Sequence, residues 1–178
     1  MKPPRRIIRN PGIVKRQRMA VCLHESAHAL AFQKLCGVRA RCVVYLRGGG
    51  VCSHPAIPDA RLNEEMIALA CGRVGESLHA LVPIPAGRYR KIRPSRRHAT
   101  RRTDNKTLSL YTRYAEVELS QKIDTAAIQN EAENFVTRHQ FEIVALAEKL
   151  FHFGEVSLPA RPRDRESYQW YRPPLQAF

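Results

Sequence analysis

Between Met19 and Leu35 the chain is apolar nearly all the way round a helix, with Met19, Ala20, Val21, Leu23, Ala27, Ala29, Leu30, Phe32 and Leu35 covering its faces. Such a helix is buried. Yet His24, Glu25 and His28 sit inside it, in the order H-E-x-x-H. Polar groups buried without a partner are costly, so these three require one. Residues four apart share a helix face. His24 and His28 therefore present two imidazoles to one point, with Glu25 beside them. That is the donor pattern of a zinc peptidase: two nitrogen ligands for Zn2+ and a carboxylate placed as general base. The competing reading is a pair of core histidines hydrogen-bonded to neighbours.

The surrounding punctuation gives a coarse layout. Asn10-Pro11 reads as a cap with proline in the first turn, and the first helix runs to about Cys36, with Gly37 as its stop. Residues 41–47 alternate and are rich in Val and Tyr, which predicts a strand. Gly48-Gly49-Gly50 breaks it, and 51–54 forms a second short strand. The glycine run is not a phosphate loop, because no G-K-[ST] follows it. A second helix starts near Asp59 or Asn63 and reaches about Leu81, with Ile67, Ala70, Cys71, Val74 and Leu78 on its buried side. Pro83 and Pro85 end it. A third helix runs from Thr103-Asp104 to about Gln121. A fourth is capped by Asp124 and continues to about Phe153, with Ile128, Phe135, Val136, Ile143, Leu146 and Leu150 inward and Gly154 as its stop. The predicted fold is mainly α (α+β), with a small sheet or hairpin beside the H-E-x-x-H helix. Residues 1–158 form the domain, with a basic loop at 86–102. The Pro/Arg-rich tail 159–178 is expected to be extended or poorly ordered.

Composition sets further bounds. The 178 residues fit one domain. Five cysteines, without a C-x-x-C pair, read as thiols of a reducing compartment. No apolar run approaches the roughly 20 residues of a membrane span, and the basic N-terminus lacks a signal-peptide core. These features predict a soluble cytoplasmic protein. The net charge of +14 is concentrated in two segments. One is Lys2, Arg5, Arg6, Arg9, Lys15, Arg16 and Arg18. The other spans Arg88 to Lys106. Such segments bind nucleic acid through phosphates, or steer acidic polypeptides to a cleft. The absence of interleaved aromatics disfavours the first. His54, His79, His98, His139 and His152 read as structural or surface residues.

Four blocks, in order, resemble the peptidase domain of the FtsH-type ATP-dependent zinc proteases. Leu23-His24-Glu25-Ser26-Ala27-His28-Ala29-Leu30 looks like that family's H-E-A-G-H-A helix, with Ala27 in place of glycine. Cys42-Val43-Val44-Tyr45-Leu46-Arg47-Gly48 is similar to its strand ending in P-R-G. Leu69-Ala70-Cys71-Gly72-Arg73-Val74-Gly75-Glu76 resembles its L-G-G-R-A-A-E helix. Leu146-Ala147-Glu148-Lys149-Leu150, followed by Glu155-Val156, resembles its closing helix. The resemblance covers about residues 15–158 and implies a helical, zincin-like domain standing without the ATPase module. It also implies that the third zinc ligand is an aspartate opening the helix after the glycine-containing one, which here is Asp104 in Thr103-Asp104. Glu76 is the alternative third ligand, by likeness to another zinc-peptidase group, and Asp59 is a weaker rival. The competing, weaker reading of Asp104 is a helix cap.

The implied activity is zinc-dependent hydrolysis of peptide bonds, with Glu25 as proton carrier. No Walker motif occurs in the 178 residues. Flexible polypeptides are therefore the expected substrates, or a separate ATPase or regulatory partner delivers folded ones. Val43, Val44, Tyr45 and Leu46 are candidates for pairing with the substrate backbone, or form an ordinary core strand. Two alternatives stand beside this. One is a zinc-stabilised basic module that binds nucleic acid. The other is a partner-dependent or inactive peptidase-like module, its cleft covered by the arginine-rich loop or the tail.

Overall fold

The computed structural model describes residues 11–45, 49–92 and 104–160. The Asn10 cap, Leu46, most of the basic loop and the tail beyond 160 lie outside the described residues. Among the described residues, five α-helices and three strands follow one another as α1 (Pro11–Leu35), β1 (Ala40–Val44), β2 (Gly50–Ser53), α2 (Leu62–Ser77), α3 (Asp104–Val117), α4 (Thr125–Arg138), α5 (Gln140–Phe153) and β3 (Glu155–Leu158). The domain is mainly helical, with one small antiparallel sheet in the order β2-β1-β3. Among the described residues, no helix is long and apolar enough to cross a membrane.

α1 is the central element. It packs on α2, α5 and β1 at once, which is why its apolar residues extend round most of its circumference. Met19, Leu23 and Phe32 are fully buried, in one core cluster with Met66, Ile143, Leu150 and Phe151. Burial of side chains this large contributes roughly 1.5–3 kcal/mol each. The helix stops where Gly37 takes φ +71°, a left-handed conformation that costs glycine nothing.

α2 packs on α1 through small residues. The stripe Ala68, Gly72 and Gly75, spaced i, i+4, i+7, is buried. A Cβ on Gly75 would collide with the Ala27 methyl and meet the Leu23 carbonyl oxygen at 3.0 Å. The expected buried face is therefore only part of the real one. Ala70 and Cys71 are buried, but Ile67, Val74 and Leu78 are half-buried, while Leu62, Met66 and the small stripe lie deeper. Apolar periodicity weights large side chains, whereas close helix packing here selects their absence. Short 3-10 turns at Asp59–Arg61 and Leu78–Ala80 flank α2.

The single long helix expected over 124–153 is two helices. α4 ends at His139, which takes φ −110° and ψ 16°, and α5 begins at Gln140. An unbroken helix of that span would be about 45 Å long and would overshoot the core. The break lets α4 pack on α2 while α5 packs on α1. His139 Nδ1 and Lys34 Nζ both meet Glu142 Oε1, at 2.8 and 2.7 Å, and tie the corner to α1. The inward set survives the break: Ile128, Phe135, Val136, Ile143, Leu146 and Leu150 are all buried. Asp124 caps α4 as expected, its Oδ1 accepting from the Ala126 and Ala127 N–H groups.

β3 was not legible in the sequence. Gly154 ends α5 at φ +76°, and its carbonyl accepts from Val44 N–H at 2.8 Å. The next four residues then pair with β1. Arg18, grouped in the sequence with the basic head, is only 5% exposed. Its Nε donates to Phe151 O and its Nη2 to Arg90 O, and the guanidinium lies 4.5 Å over the Tyr89 ring. It anchors the start of the basic loop to α1 and α5.

Candidate metal centre

Two elements bring one donor set together. α1 presents His24 and His28 on one face, one turn apart, and α3 brings Asp104 at its first residue. His24 Nε2 lies 2.8 Å from Asp104 Oδ2, His28 Nε2 lies 3.2 Å from the same oxygen, and the two Nε2 atoms are 3.1 Å apart. Among the described residues this is a cluster of metal-ligand type whose donor atoms all fall within 4.8 Å of one another. Ligands about 2.0–2.1 Å from a tetrahedral zinc stand roughly 3.3 Å apart. The observed triangle is close to that size, and two imidazoles with one carboxylate are a zinc-peptidase donor set. These residues fit a zinc ion.

The two imidazoles are oriented from behind. His28 is 3% exposed, and its Nδ1–H donates to the Ala68 carbonyl at 2.8 Å. That bond fixes the tautomer and leaves Nε2 as the lone-pair donor. Gly72, one turn further along α2, makes room for the ring. A Cβ there would meet His28 Cδ2 at 2.7 Å, with Nε2 and Cε1 closer still. His24 Nδ1 meets Glu76 Oε2 at 3.3 Å. Glu76 thus stands on the opposite edge of the His24 ring from the donor triangle. Asp104, not Glu76, closes the triangle with the two Nε2 atoms. Asp59 is elsewhere, accepting from Tyr114 O–H at 3.1 Å.

α3 has a single buried residue, Ala115, so packing alone holds Asp104 weakly. Two tyrosines fasten α3 to its neighbours. Tyr114 reaches Asp59, and Tyr111 O–H donates to Glu65 Oε1 at 2.9 Å. Burial pushes the Glu65 carboxyl up, against the lowering effect of that hydrogen bond.

The charges are mutually adjusted. Burial disfavours the His24 imidazolium, but the Asp104 hydrogen bond and the carboxylates of Glu25, Asp104 and Glu76 outweigh it and raise its pKa. Burial would raise Asp104, yet its hydrogen bonds to His24 and His28 hold it well below the ordinary carboxylate range. A chain with net charge +14 has thus gathered three carboxylates around two imidazoles, the balance a divalent cation would need.

Glu25 is 6% exposed and lies over β2. A Cβ on Gly50 would meet Glu25 Cγ at 2.5 Å and Oε1 at 2.6 Å. Only glycine leaves the carboxylate its place. The Glu25 carbonyl accepts from Cys42 Sγ–H at 3.0 Å. Sequence reasoning missed Gly50, Gly72 and Cys42 as site residues. The available signals were the glycine run that contains Gly50 and the glycines of the Leu69–Glu76 block.

β1 is the middle strand. Val43 pairs with Val51 on one side and Glu155 on the other. Val44 N–H is taken by Gly154, and Tyr45 N–H donates to Gly49 O at 3.1 Å. Tyr45 also bridges to Ile92. Val43 and Val44 therefore have backbone partners on both sides, the arrangement of an ordinary core strand. Leu46 lies outside the described residues. His54 stacks on Phe32 with centroids 3.8 Å apart, a structural placement on α1 one turn beyond His28. No protein-family model, no curated protein and no solved structure matches this chain.

Proposed function

We propose that this chain is a zinc metalloendopeptidase that cleaves flexible polypeptides. One observation carries the reading: His24 Nε2, His28 Nε2 and Asp104 Oδ2 converge within 3.2 Å of one another, with a buried carboxylate at the residue after the first histidine. A site built only for structure has no need of that carboxylate.

His24, His28 and Asp104 would hold the ion, with Glu76 and the Ala68 carbonyl orienting the two rings. Zinc, when bound, supplies a Lewis acid that polarises a peptide carbonyl and acidifies water. Glu25 takes a proton at its carboxylate and returns it to the leaving nitrogen, the work of a general base and then acid. Gly50 keeps its side chain seated for that transfer, and Cys42 steadies the backbone beneath it. Tyr111 and Tyr114 hold the third ligand in register by fixing α3. The 178 residues contain no Walker-type phosphate loop, so nothing in them pulls a folded substrate apart. That favours unstructured segments.

The test is metal content and cleavage of an unfolded, alkylated polypeptide. The wild type binds about one zinc per chain. Asp104→Ala loses it. Glu76→Ala retains it with roughly 10–100-fold weaker affinity, as loss of an orienting partner does. Glu25→Gln retains zinc and loses roughly 10²–10⁴-fold in rate. A wild type that takes up no zinc on reconstitution, or a Glu25→Gln variant as active as wild type, overturns the proposal.

A further inference from the structure

All five cysteines stand as thiols, none in a disulfide, but two of them face each other. β1 and β2 pair antiparallel with Cys42 directly opposite Cys52. The hydrogen-bond phase of this ladder is set by Tyr45 N–H donating to Gly49 O. Counting from that pair, Val43/Val51 and Arg41/Ser53 are the hydrogen-bonded positions, and Cys42/Cys52 is a non-hydrogen-bonded one. At such positions the Cα atoms are about 4.5 Å apart and the side chains stand closest. A disulfide requires Cα atoms about 4.4–6.8 Å apart. The register therefore meets the requirement without moving either strand. The other three thiols, Cys22, Cys36 and Cys71, are buried within the helical core.

The pair sits behind Glu25. Cys42 is 2% exposed and its Sγ–H is committed to the Glu25 carbonyl. Cys52 is half-buried, on the strand whose Gly50 lies beneath the Glu25 side chain. Burial and the proximity of Cys52 push the Cys42 thiol up, so of the two Cys52 is the one placed to react first with a reagent from solvent. In a reducing compartment, a disulfide formed between such thiols is usually transient and catalytic or redox-sensing.

We propose that Cys42 and Cys52 are a redox-active dithiol which a small-molecule disulfide such as oxidised glutathione closes into a cross-strand bond behind Glu25. The Cys52 thiolate attacks one sulfur of the small disulfide, forming a mixed disulfide and releasing one glutathione thiolate. Cys42 then gives up its proton and attacks the Cys52 sulfur. The protein disulfide forms and the second glutathione leaves. Two electrons pass from the protein to the small disulfide, and the two thiol protons end on the two glutathione thiols. The new bond removes the Cys42 Sγ–H donor from the Glu25 carbonyl and locks β2 to β1. The consequence for cleavage rests on the peptidase reading, but the dithiol does not.

The full chain is equilibrated in oxidised and reduced glutathione, alkylated, and mapped by peptide mass spectrometry. The expected product is one disulfide joining Cys42 to Cys52, reversed by dithiothreitol. A Cys42→Ser variant should instead stop as a stable glutathione adduct on Cys52. A wild-type chain that itself stops as that adduct overturns the proposal, as does one whose disulfide involves Cys22, Cys36 or Cys71. The mapping decides this whether or not the protein cleaves peptides. If it does, oxidation should lower the rate several-fold in wild type, and Cys52→Ser should abolish that oxidised-to-reduced difference. Equal sensitivity in Cys52→Ser would sink the coupling to Glu25.

Discussion

Gly72→Ala sets two physical effects of opposite sign against each other. In the interior of α2, alanine is favoured over glycine by about 0.8–1.0 kcal/mol. A helix seen alone would therefore gain stability. In the folded protein the new methyl lands on the His28 ring, 2.7 Å from Cδ2 and nearer to Nε2 and Cε1. Neither side yields easily: His28 is 3% exposed and Ala68, whose carbonyl it bonds, is fully buried. Overpacking of this kind costs roughly 1–3 kcal/mol. Loss of the Nδ1–H bond to Ala68 adds about 1 kcal/mol. The net is a destabilisation of about 2 kcal/mol, or a fall of about 4–8 °C in melting temperature for a domain of this size. Zinc affinity should fall roughly 10–100-fold because the ring loses its orienting partner. At saturating zinc, that removes about 1.4–2.8 kcal/mol of metal-induced stabilisation. The assay is thermal melting with and without zinc, together with competition against a chelator. Gly75→Ala is the control. It crowds Ala27 and Leu23 instead of His28, so it should lose stability with far less loss of zinc affinity. A Gly72→Ala protein that melts higher than wild type with unchanged affinity would show that His28 is not held against α2.

Zinc affinity should fall by about tenfold per pH unit below the raised pKa of His24 and level off above it, because the imidazolium paired with Asp104 must lose its proton to bind metal. An affinity flat between about pH 5 and 7 would refute this. In the metal-free protein, the raised His24 contributes stability that is full below its ordinary pKa and lost as pH rises through the folded value. The depressed Asp104 contributes stability that is full above its ordinary range and lost as pH falls through its folded value. The pair is therefore strongest at about pH 4–6.5, which a melting series in chelator would detect. Tyr111→Phe leaves the buried Glu65 carboxylate without this donor, at a cost of roughly 1–3 kcal/mol. It should speed amide exchange in α3 and weaken zinc binding, whereas unchanged exchange would mean that α3 is held by other contacts. Gly50→Ala should displace the Glu25 carboxylate, lowering turnover at least tenfold while zinc content stays at wild-type level. Wild-type turnover would exclude the proposed role of Gly50.

What the sequence determined is what local geometry controls. Helical periodicity alone puts His24 and His28 on one face of α1, whatever surrounds it. Asp124, Gly37 and Gly154 act through their own backbone and nearest neighbours, and each marks an element end as read. The inward positions from Ile128 to Leu150 repeat with the helix period, so they stayed buried even though the helix bends. Tertiary structure decided which carboxylate completes the donor set. Asp104 is 80 residues from His24, and its choice over Glu76 depends on how α3 docks, which apolar spacing does not encode. The break at His139, the pairing of β3 and the central place of β1 likewise come from the need to fold α4, α5 and β3 back around α1. The close approach of α2 depends on side chains that are missing at Gly72 and Gly75. A pattern of large apolar residues cannot register that, because the information lies in the space such residues would have filled.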